Sequence, residues 1–177
     1  MLSNKYHLSS RILHWSMALI IISLLAMGFF MTNLLDPEAT NRMFIYNLHK
    51  SFGVLVLVLL LPRIFAKITK KAPPLPATMP KLIQKAAHIG HLALYFLMFA
   101  MPISGYLMSN SFGYGVKLFG LQLPMIAQKN IELGQFFASC HKYLGFAFVT
   151  ILLVHIGAVI KHRFFDVAAN DVLKRMV

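Results

Sequence analysis

Histidine is the residue type in this 177-residue sequence with the clearest capacity for chemistry, because imidazole binds metal ions and transfers protons near neutral pH. Seven of the eight histidines lie in or at the ends of long apolar stretches: His14, His49, His88, His91, His141, His155 and His162. A polar side chain at membrane depth is costly and marks a candidate functional site. The depths of these histidines therefore decide which chemistry the sequence predicts.

The apolar stretches that carry the histidines have the length of membrane-spanning helices. They predict helices over residues 12–32, 43–66, 84–108 and 136–161. Each reaches the roughly 20 residues that a helix needs to cross about 30 Å of hydrocarbon. Charged residues make up only 12% of the chain, against about 25% in soluble domains, so much of the surface faces the lipid bilayer. The expected fold class is all-α: a four-helix transmembrane bundle forming a single domain over residues 1–177.

Basic residues predict the orientation of this bundle. A net charge of +12 would indicate nucleic-acid binding in a soluble protein, but here the charges lie between apolar runs, so we expect no nucleic-acid partner. Twelve of the 17 Lys and Arg residues fall on the side of the two termini and the second connection, and five fall on the other side. The positive-inside rule therefore places both termini in the cytoplasm.

Depth sorts four of the histidines into two pairs. His141 and His155 are 14 residues apart on the fourth helix, which separates them by about 21 Å and leaves them on nearly the same face. His49 on the second helix matches the depth of His141 near the outer face, and His14 on the first helix matches His155 near the inner face. Two stacked pairs predict two haems b, each with two axial histidines on its iron. Such ligation closes the iron to other ligands and suits electron transfer rather than oxygen binding.

A local repeat supports the outer pair. In both copies, His49 to Gly53 and His141 to Gly145, lysine follows the histidine and glycine stands four residues after it. Residues i and i+4 share a helix face, so each glycine would leave room for a flat porphyrin beside the ligand. We therefore expect Gly53 and Gly145 to contact haem, and the two lysines could face a propionate.

Other residues are weaker candidates. Arg63 could pair with a propionate of the inner haem, or serve only as a positive-inside anchor. The histidines outside the two pairs could serve a haem, a quinone, a proton path or the lipid interface; they are His88, His91 and His162. The single cysteine, Cys140, excludes a C-x-x-C-H attachment motif, so haem would be held without a covalent link through it. The catalytic residues remain unidentified, because the sequence shows no acid–base or nucleophile constellation.

Three other interpretations compete with haem binding. Intramembrane histidines can hydrogen bond across helices. They can also hold a bare metal ion, although zinc and iron sites usually recruit carboxylates or cysteines, and none lies near these four. A haem-free transporter would need polar residues along a path at mid-depth, and the sequence has almost none between the two histidine levels.

Taken together, the motifs resemble the bacterial cytochrome b561 family, the small four-helix di-haem cytochromes of the inner membrane. The resemblance covers nearly the whole chain. It rests on His14-Trp15, His49 with Gly53, Arg63, the link Pro73-Pro74-Leu75-Pro76, His88, His91, Tyr95, His141 with Gly145, Leu153-Val154-His155, His162 and the tail over residues 171–176.

The resemblance implies a multi-pass protein of the bacterial inner membrane that carries electrons between the periplasmic side and the ubiquinone pool. Some members are similar to superoxide oxidases, so superoxide is one candidate donor and another periplasmic redox donor is the alternative. Basic residues at the outer mouth would attract an anion such as superoxide. A membrane anchor for a partner dehydrogenase is the rival function, although such anchors usually have further helices. The sequence shows no quinone motif, and a homodimer stays open.

Overall fold

The computed structural model describes residues 5–177 and consists mainly of four long helices. They are α1 (Leu8–Asn33), α2 (Arg42–Thr69), α3 (Lys81–Ser111) and α4 (Ile131–Phe164). All four are long and apolar enough to cross a membrane. The expected all-α bundle of four membrane-spanning helices is therefore confirmed, while its orientation stays a prediction.

The helices extend beyond the predicted segments by up to five residues at either end. The largest difference is at α4, which begins at Ile131, where the Asn130 side chain accepts a 3.0 Å hydrogen bond from the Leu133 N–H and caps the helix. Apolar sequence marks only the part of a helix that lies in hydrocarbon. Polar and charged residues continue these helices beyond it, so the apolar runs alone gave bounds that were too short.

Smaller elements close the two ends of the bundle. A two-stranded antiparallel hairpin, β1 (Lys117–Leu118) and β2 (Leu121–Gln122), lies between α3 and α4. Two 3-10 helices, Ala168–Asn170 and Leu173–Arg175, follow α4. We call the end with the hairpin the hairpin side, and the end with both termini and the link over residues 70–80 the terminal side.

Packing divides the bundle into two helix pairs. α4 packs mainly against α3, and α1 mainly against α2, while α2 also meets α3. At mid-depth the four helices share an apolar core. Its buried members are Met17, Ile21, Val56, Leu60, Leu97, Met98 and Phe148. Phe148 is seven residues from both His141 and His155 along α4, so the core separates the two histidine levels.

The chain after α4 folds back over the terminal side. Trp15 Nε1 on α1 donates a 2.8 Å hydrogen bond to the Met176 carbonyl. Thr78 of the link donates a 2.6 Å bond to the Asn170 side chain. These contacts join α1, the link and the C-terminal segment into one closed end.

Asp166 anchors the start of this segment. Its carboxylate accepts hydrogen bonds from Lys161 at 3.0 Å, from the Val167 N–H at 2.8 Å, from Asn170 at 3.0 Å and from His162 at 2.6 Å. These bonds, that from Lys161 foremost, favour the ionised form and hold the pKa of Asp166 well below its usual range.

Candidate functional site

His49 on α2 and His141 on α4 face each other near the hairpin side. Their ring centres are 6.4 Å apart and their planes are inclined by 78°. Both line a small cleft between the two helix pairs, together with Gly53, Val56 and Phe148 among others. The cleft is almost wholly apolar apart from the two imidazoles.

α3 fixes the orientation of the His141 ring. Its Nδ1 lies 3.1 Å from the Met101 carbonyl and 3.0 Å from Ser104 Oγ. A proton on Nδ1 can be donated to the carbonyl, which leaves Nε2 as the lone-pair nitrogen, as in most histidine metal ligands. A Cβ at Gly105 would stand only 2.9 Å from His141 Cε1, so this glycine makes the space in which the ring sits.

His49 is held differently from its partner. Its Nδ1 is buried and has no hydrogen-bond partner among residues 5–177. An unpaired buried polar atom is rare in folded proteins and calls for an explanation. Among the described residues no hydrogen bond through Nδ1 therefore fixes this ring, which lines the cleft.

His14 on α1 and His155 on α4 form the second pair, on the terminal side. Their ring centres are also 6.4 Å apart, with an interplanar angle of 64°. His91 on α3 brings a third ring into the same level, with its centre 5.5 Å from that of His155. Arg63 Nη2 lies 3.0 Å from His14 Nδ1, a hydrogen bond that requires Nδ1 to be the unprotonated nitrogen.

Cations gather beside this second pair. The Arg63 guanidinium lies 5.6 Å from the centre of the Tyr95 ring, and the Lys67 ammonium lies 4.1 Å from it. Both distances are in the range of cation–π contacts. Arg63 Nε is buried without a hydrogen-bond partner in the described part of the chain, so this guanidinium keeps an unused donor inside the protein.

The remaining predicted site residues are placed as follows. His88 is exposed on α3, and His162 is buried and bonded to Asp166. A Cβ at Gly53 would meet nothing within 4 Å, whereas one at Gly145 would come within 3.3 Å of Met101 Cε. Gly53 therefore borders open space, and the space beside Gly145 is taken by a flexible methionine tip.

The lysines of the sequence repeat do not play matching roles. Lys50 Nζ donates to the Gly115 carbonyl at 3.1 Å and to Ser109 Oγ at 3.3 Å. It is therefore tied to the chain that covers the hairpin side, whereas Lys142 is exposed.

The spacing of the rings tests whether an iron ion fits between them. With metal–nitrogen bonds of about 2.0 Å and about 1.1 Å from nitrogen to ring centre, two axial imidazoles on one metal stand about 6.2 Å apart, centre to centre. The two predicted pairs, at 6.4 Å each, are close to this value. The His91–His155 separation of 5.5 Å is shorter. Each predicted pair is therefore spaced for one metal ion between its two rings, and the rings of His91 and His155 are closer together than such an ion requires.

A bare metal site finds less support. Within residues 5–177, no three His, Cys, Asp or Glu side chains come together closely enough to hold a metal ion. Two imidazoles without further ligands leave most metal coordination positions unfilled, and a porphyrin supplies the missing four nitrogens.

Sequence reasoning missed the seat that α3 provides for His141. Ser104 and Gly105 are small residues at the depth of this histidine, and small residues let neighbouring helices and rings approach closely. Both small residues are visible in the sequence, but no local pattern shows that they face His141. The role of the Met101 carbonyl has no sequence signal, because every residue has one.

Comparison with known proteins identifies a family that covers all four helices. A profile of the family described as prokaryotic cytochrome b561 matches residues 5–177. Cytochrome b561 homolog 2 of Escherichia coli (strain K12) is 33% identical over 175 residues, 98% of this chain and 91% of that protein. Probable superoxide oxidase CybB of Yersinia pestis is 29% identical over 130 residues, 73% of each protein. Cytochrome b561 homolog 1 of Escherichia coli (strain K12) is 20% identical over 174 residues.

Proposed function

The chain belongs to the prokaryotic cytochrome b561 family, and from that premise we propose that it carries electrons across the membrane through two haems b. His49 and His141 would hold the haem of the hairpin side, and His14 and His155 that of the terminal side. The observation that carries this proposal is the shared ring separation of 6.4 Å, which suits one iron between each pair. Haem b supplies one-electron redox chemistry, and the protein supplies its ligands and surroundings.

The apolar core would keep water from the space between the two haem sites. Phe148 is 4% exposed and stands midway between the two ligands on α4. A dry, closely packed centre lowers the dielectric around both cofactors and strengthens the effect of any fixed charge on their potentials. It also leaves no polar path at mid-depth, which disfavours the transporter interpretation.

Arg63 is the residue that haem binding would have to move. Ligation through Nε2 of a neutral His14 puts the remaining proton on Nδ1, and the Arg63 guanidinium has only donors. The two groups would then face each other donor to donor, so the 3.0 Å contact is incompatible with this ligation. Released from His14, Arg63 would find a matching acceptor in a carboxylate such as a haem propionate.

The two glycines of the repeat would have unequal parts in the hairpin-side haem site. Gly53 borders empty space in the cleft, as a contact surface for a flat ring requires. Gly145 faces Met101 Cε, and this methionine tip would have to turn aside for a porphyrin to approach. Methionine side chains adapt readily, so such a movement is cheap.

For the donor, we propose superoxide on the hairpin side. One relative is a probable superoxide oxidase, at 29% identity. Basic side chains are exposed at this end, and they would raise the local concentration of an anion. They are Arg42, Lys117, Lys129 and Lys142. Each superoxide would lose one electron and leave as O₂.

For the acceptor, we propose ubiquinone on the terminal side, with the chain in the bacterial inner membrane and both termini in the cytoplasm. Two electrons and two protons would convert one quinone to quinol. His88, His91 and His162 are the candidates for contact with the quinone or its protons, because all three lie at this end and outside the ligand pair. This assignment rests on the family and the positive-inside rule.

Stopped-flow absorption at the haem bands tests donor and acceptor separately. Purified protein mixed with superoxide should become reduced faster than superoxide disappears by itself, and a ubiquinone analogue should then reoxidise it. The matched control is the His141→Leu variant, which should lose the fast reduction because the hairpin-side haem is gone. Absence of fast reduction in the native protein would refute superoxide as donor. Reduction without reoxidation would refute the quinone.

A further inference from the structure

We propose that the hairpin between α3 and α4 is inserted into the lipid bilayer, with its turn at the boundary between headgroups and hydrocarbon. The segment over residues 114–126, which contains β1 and β2, would thus be a membrane-embedded flap rather than an aqueous loop. This inference concerns the surface of the protein and does not depend on the donor or the acceptor proposed above.

The first observation is the apolar surface of the segment. Five of its large apolar side chains are 53–66% exposed: Tyr114, Phe119, Leu121, Met125 and Ile126. Connecting loops in water are generally polar, and an exposed apolar patch of this kind marks a surface that contacts protein or membrane.

The second observation is the depth at which the hairpin meets α2. It is bonded to Ser51, nine residues from the start of α2 at Arg42, or about 14 Å along the helix. α2 has 28 residues and is about 42 Å long, so it exceeds a hydrocarbon core of about 30 Å by only about 12 Å at both ends together. Even if the whole excess lay on the hairpin side, Ser51 would stand at the hydrocarbon boundary.

Charged residues at the opposite end of α2 indicate that the hairpin lies still deeper in the bilayer. Arg63 and Lys67 lie in the last two turns of the helix, and charged groups are placed towards the headgroups. Part of the excess length therefore projects on the terminal side. Ser51, and the hairpin bonded to it, accordingly lie at or below the hydrocarbon boundary.

The third observation is that α2 satisfies the backbone of the hairpin where it would otherwise be unpaired. Ser51 Oγ donates to the Lys117 carbonyl at 2.8 Å and accepts from the Phe119 N–H at 3.1 Å. Lys50 Nζ donates to the Gly115 carbonyl at 3.1 Å. A free strand edge is tolerated in water, but at membrane depth irregular backbone needs partners within the protein. These three bonds supply partners along the β1 side of the hairpin.

The turn of the hairpin directs an aromatic ring towards the lipid-facing surface. Phe119 has φ 47° and Gly120 has φ 100°, as in the tight two-residue turns of hairpins. A bulky residue with positive φ is uncommon and costs conformational energy, which indicates that the position of its side chain matters. The Phe119 ring packs edge-on against Phe52 of α2 at 5.2 Å, so the apolar surface of the flap continues that of a membrane-spanning helix.

Lipid is therefore the occupant that the observations favour, rather than a second copy of the chain or a soluble protein. The flap lies beside a helix surface that already faces lipid, and at the depth of lipid. The exposed Lys117 ammonium stands at the headgroup level, where its stem can lie along apolar surface and its charge can reach a phosphate.

Nitroxide labels measure this directly. The test uses full-length protein with haem, reconstituted in phosphatidylcholine and phosphatidylglycerol vesicles. A Cys140→Ser background removes the one native cysteine. Labels are placed at Phe119→Cys and Leu121→Cys, with Leu19→Cys of α1 as the lipid-facing control and Glu38→Cys of the first connection as the aqueous control. Collision rates with oxygen report lipid, and those with a water-soluble nickel chelate report water.

We expect the ratio of oxygen to nickel collisions at residues 119 and 121 to exceed that at residue 38 several-fold, and to stay below that at residue 19, which lies near mid-depth on α1. A ratio like that at residue 38 would overturn the proposal and place the flap in water. Low collision rates with both reagents would also overturn it and place the flap against a protein, which a label-to-label distance measurement would identify as a second copy or not. The Leu121 label gives an independent result if the Phe119 variant does not fold.

Discussion

The two histidine pairs have the same ring separation but very different surroundings. Near the hairpin side, His141 is held by a carbonyl, a serine hydroxyl and a glycine of α3, in an almost wholly apolar cleft. On the terminal side, His14 contacts the guanidinium of Arg63, and His155 faces the third histidine, His91. The same ring separation is therefore combined with an apolar environment at one level and a cationic, polar one at the other.

This contrast teaches how one fold can give two like cofactors different properties. Fixed cations near an iron stabilise its reduced state, so we expect the terminal-side haem to have the higher potential. Electrons would then move downhill from the hairpin side to the terminal side. The rigid seat of His141 would instead control ligation and spin state at the first haem.

The largest effect is expected from removing one ligand of each pair. His141→Leu should lose the hairpin-side haem and His155→Leu the terminal-side haem, so each variant should bind one haem fewer than the native chain. Pyridine haemochrome assays count the haem, and redox titration of the remaining band shows which one is left. His88→Leu is the control, because His88 is exposed and belongs to neither pair. Equal loss in the control would remove the distinction between paired and unpaired histidines.

The seat of His141 should be the next most sensitive feature. In Gly105→Ala the new methyl group would stand 2.9 Å from His141 Cε1, so the ring must move, at a cost of about 1–3 kcal/mol typical of overpacking. We expect a shifted or partly high-spin spectrum for the hairpin-side haem alone. Gly90→Ala on the same helix is the matched control, because a Cβ there meets nothing within 4 Å. A change confined to the terminal-side haem would contradict the assignment of the two levels.

Arg63→Gln tests the electrostatic half of the comparison. At an effective dielectric constant of about 20, a unit charge about 10 Å from a redox centre shifts a one-electron potential on the order of 70 mV. We expect the terminal-side potential to fall by this amount while the hairpin-side potential stays constant. Potentiometric titration of both bands checks it, with Lys70→Gln as the control for an exposed charge at the same end of α2. Equal shifts in both variants would indicate a general surface effect.

The smallest effect concerns pH and the C-terminal segment. The folded chain holds the pKa of Asp166 below its unfolded value of about 4, so this stabilisation is complete above about pH 5 and is lost as the pH falls further. Thermal unfolding followed by haem release should show a midpoint that falls between pH 5 and pH 3. In Asp166→Asn this fall should be smaller. If the midpoint fell equally in the native protein and in Asp166→Asn, the hydrogen bonds of Asp166 would contribute nothing to this pH dependence.

Some features of the structure can be predicted from the sequence and others cannot, depending on whether they arise from local pattern or from contacts between distant residues. Long apolar runs predict the four helices, because crossing hydrocarbon requires both length and hydrophobicity, and heptad spacing on α4 predicts which histidines share a face. The bounds were less certain, since helices continue past the hydrocarbon wherever polar caps such as Asn130 allow. The partner roles of Ser104 and Arg63 depend on contacts between helices distant in sequence, which no local pattern encodes.

The hairpin marks another limit. The apolar runs and the histidine spacing predict nothing about the connection after α3. Its strands are two residues each, too short for any alternation of apolar and polar residues to be recognised. What holds it in place is Ser51, a lone serine inside a membrane-spanning helix, and its significance appears only when the Lys117 carbonyl is seen beside it.

Counting haem in the native protein tests the central claim most directly. Purified chain, expressed with sufficient haem, is assayed as the pyridine complex against a protein concentration from amino-acid analysis, together with a dithionite-reduced minus oxidised spectrum. Two stacked histidine pairs predict two low-spin haems b per chain. One haem per chain would eliminate one of the two pairs as a haem site, and a chain without haem would contradict the account as a whole.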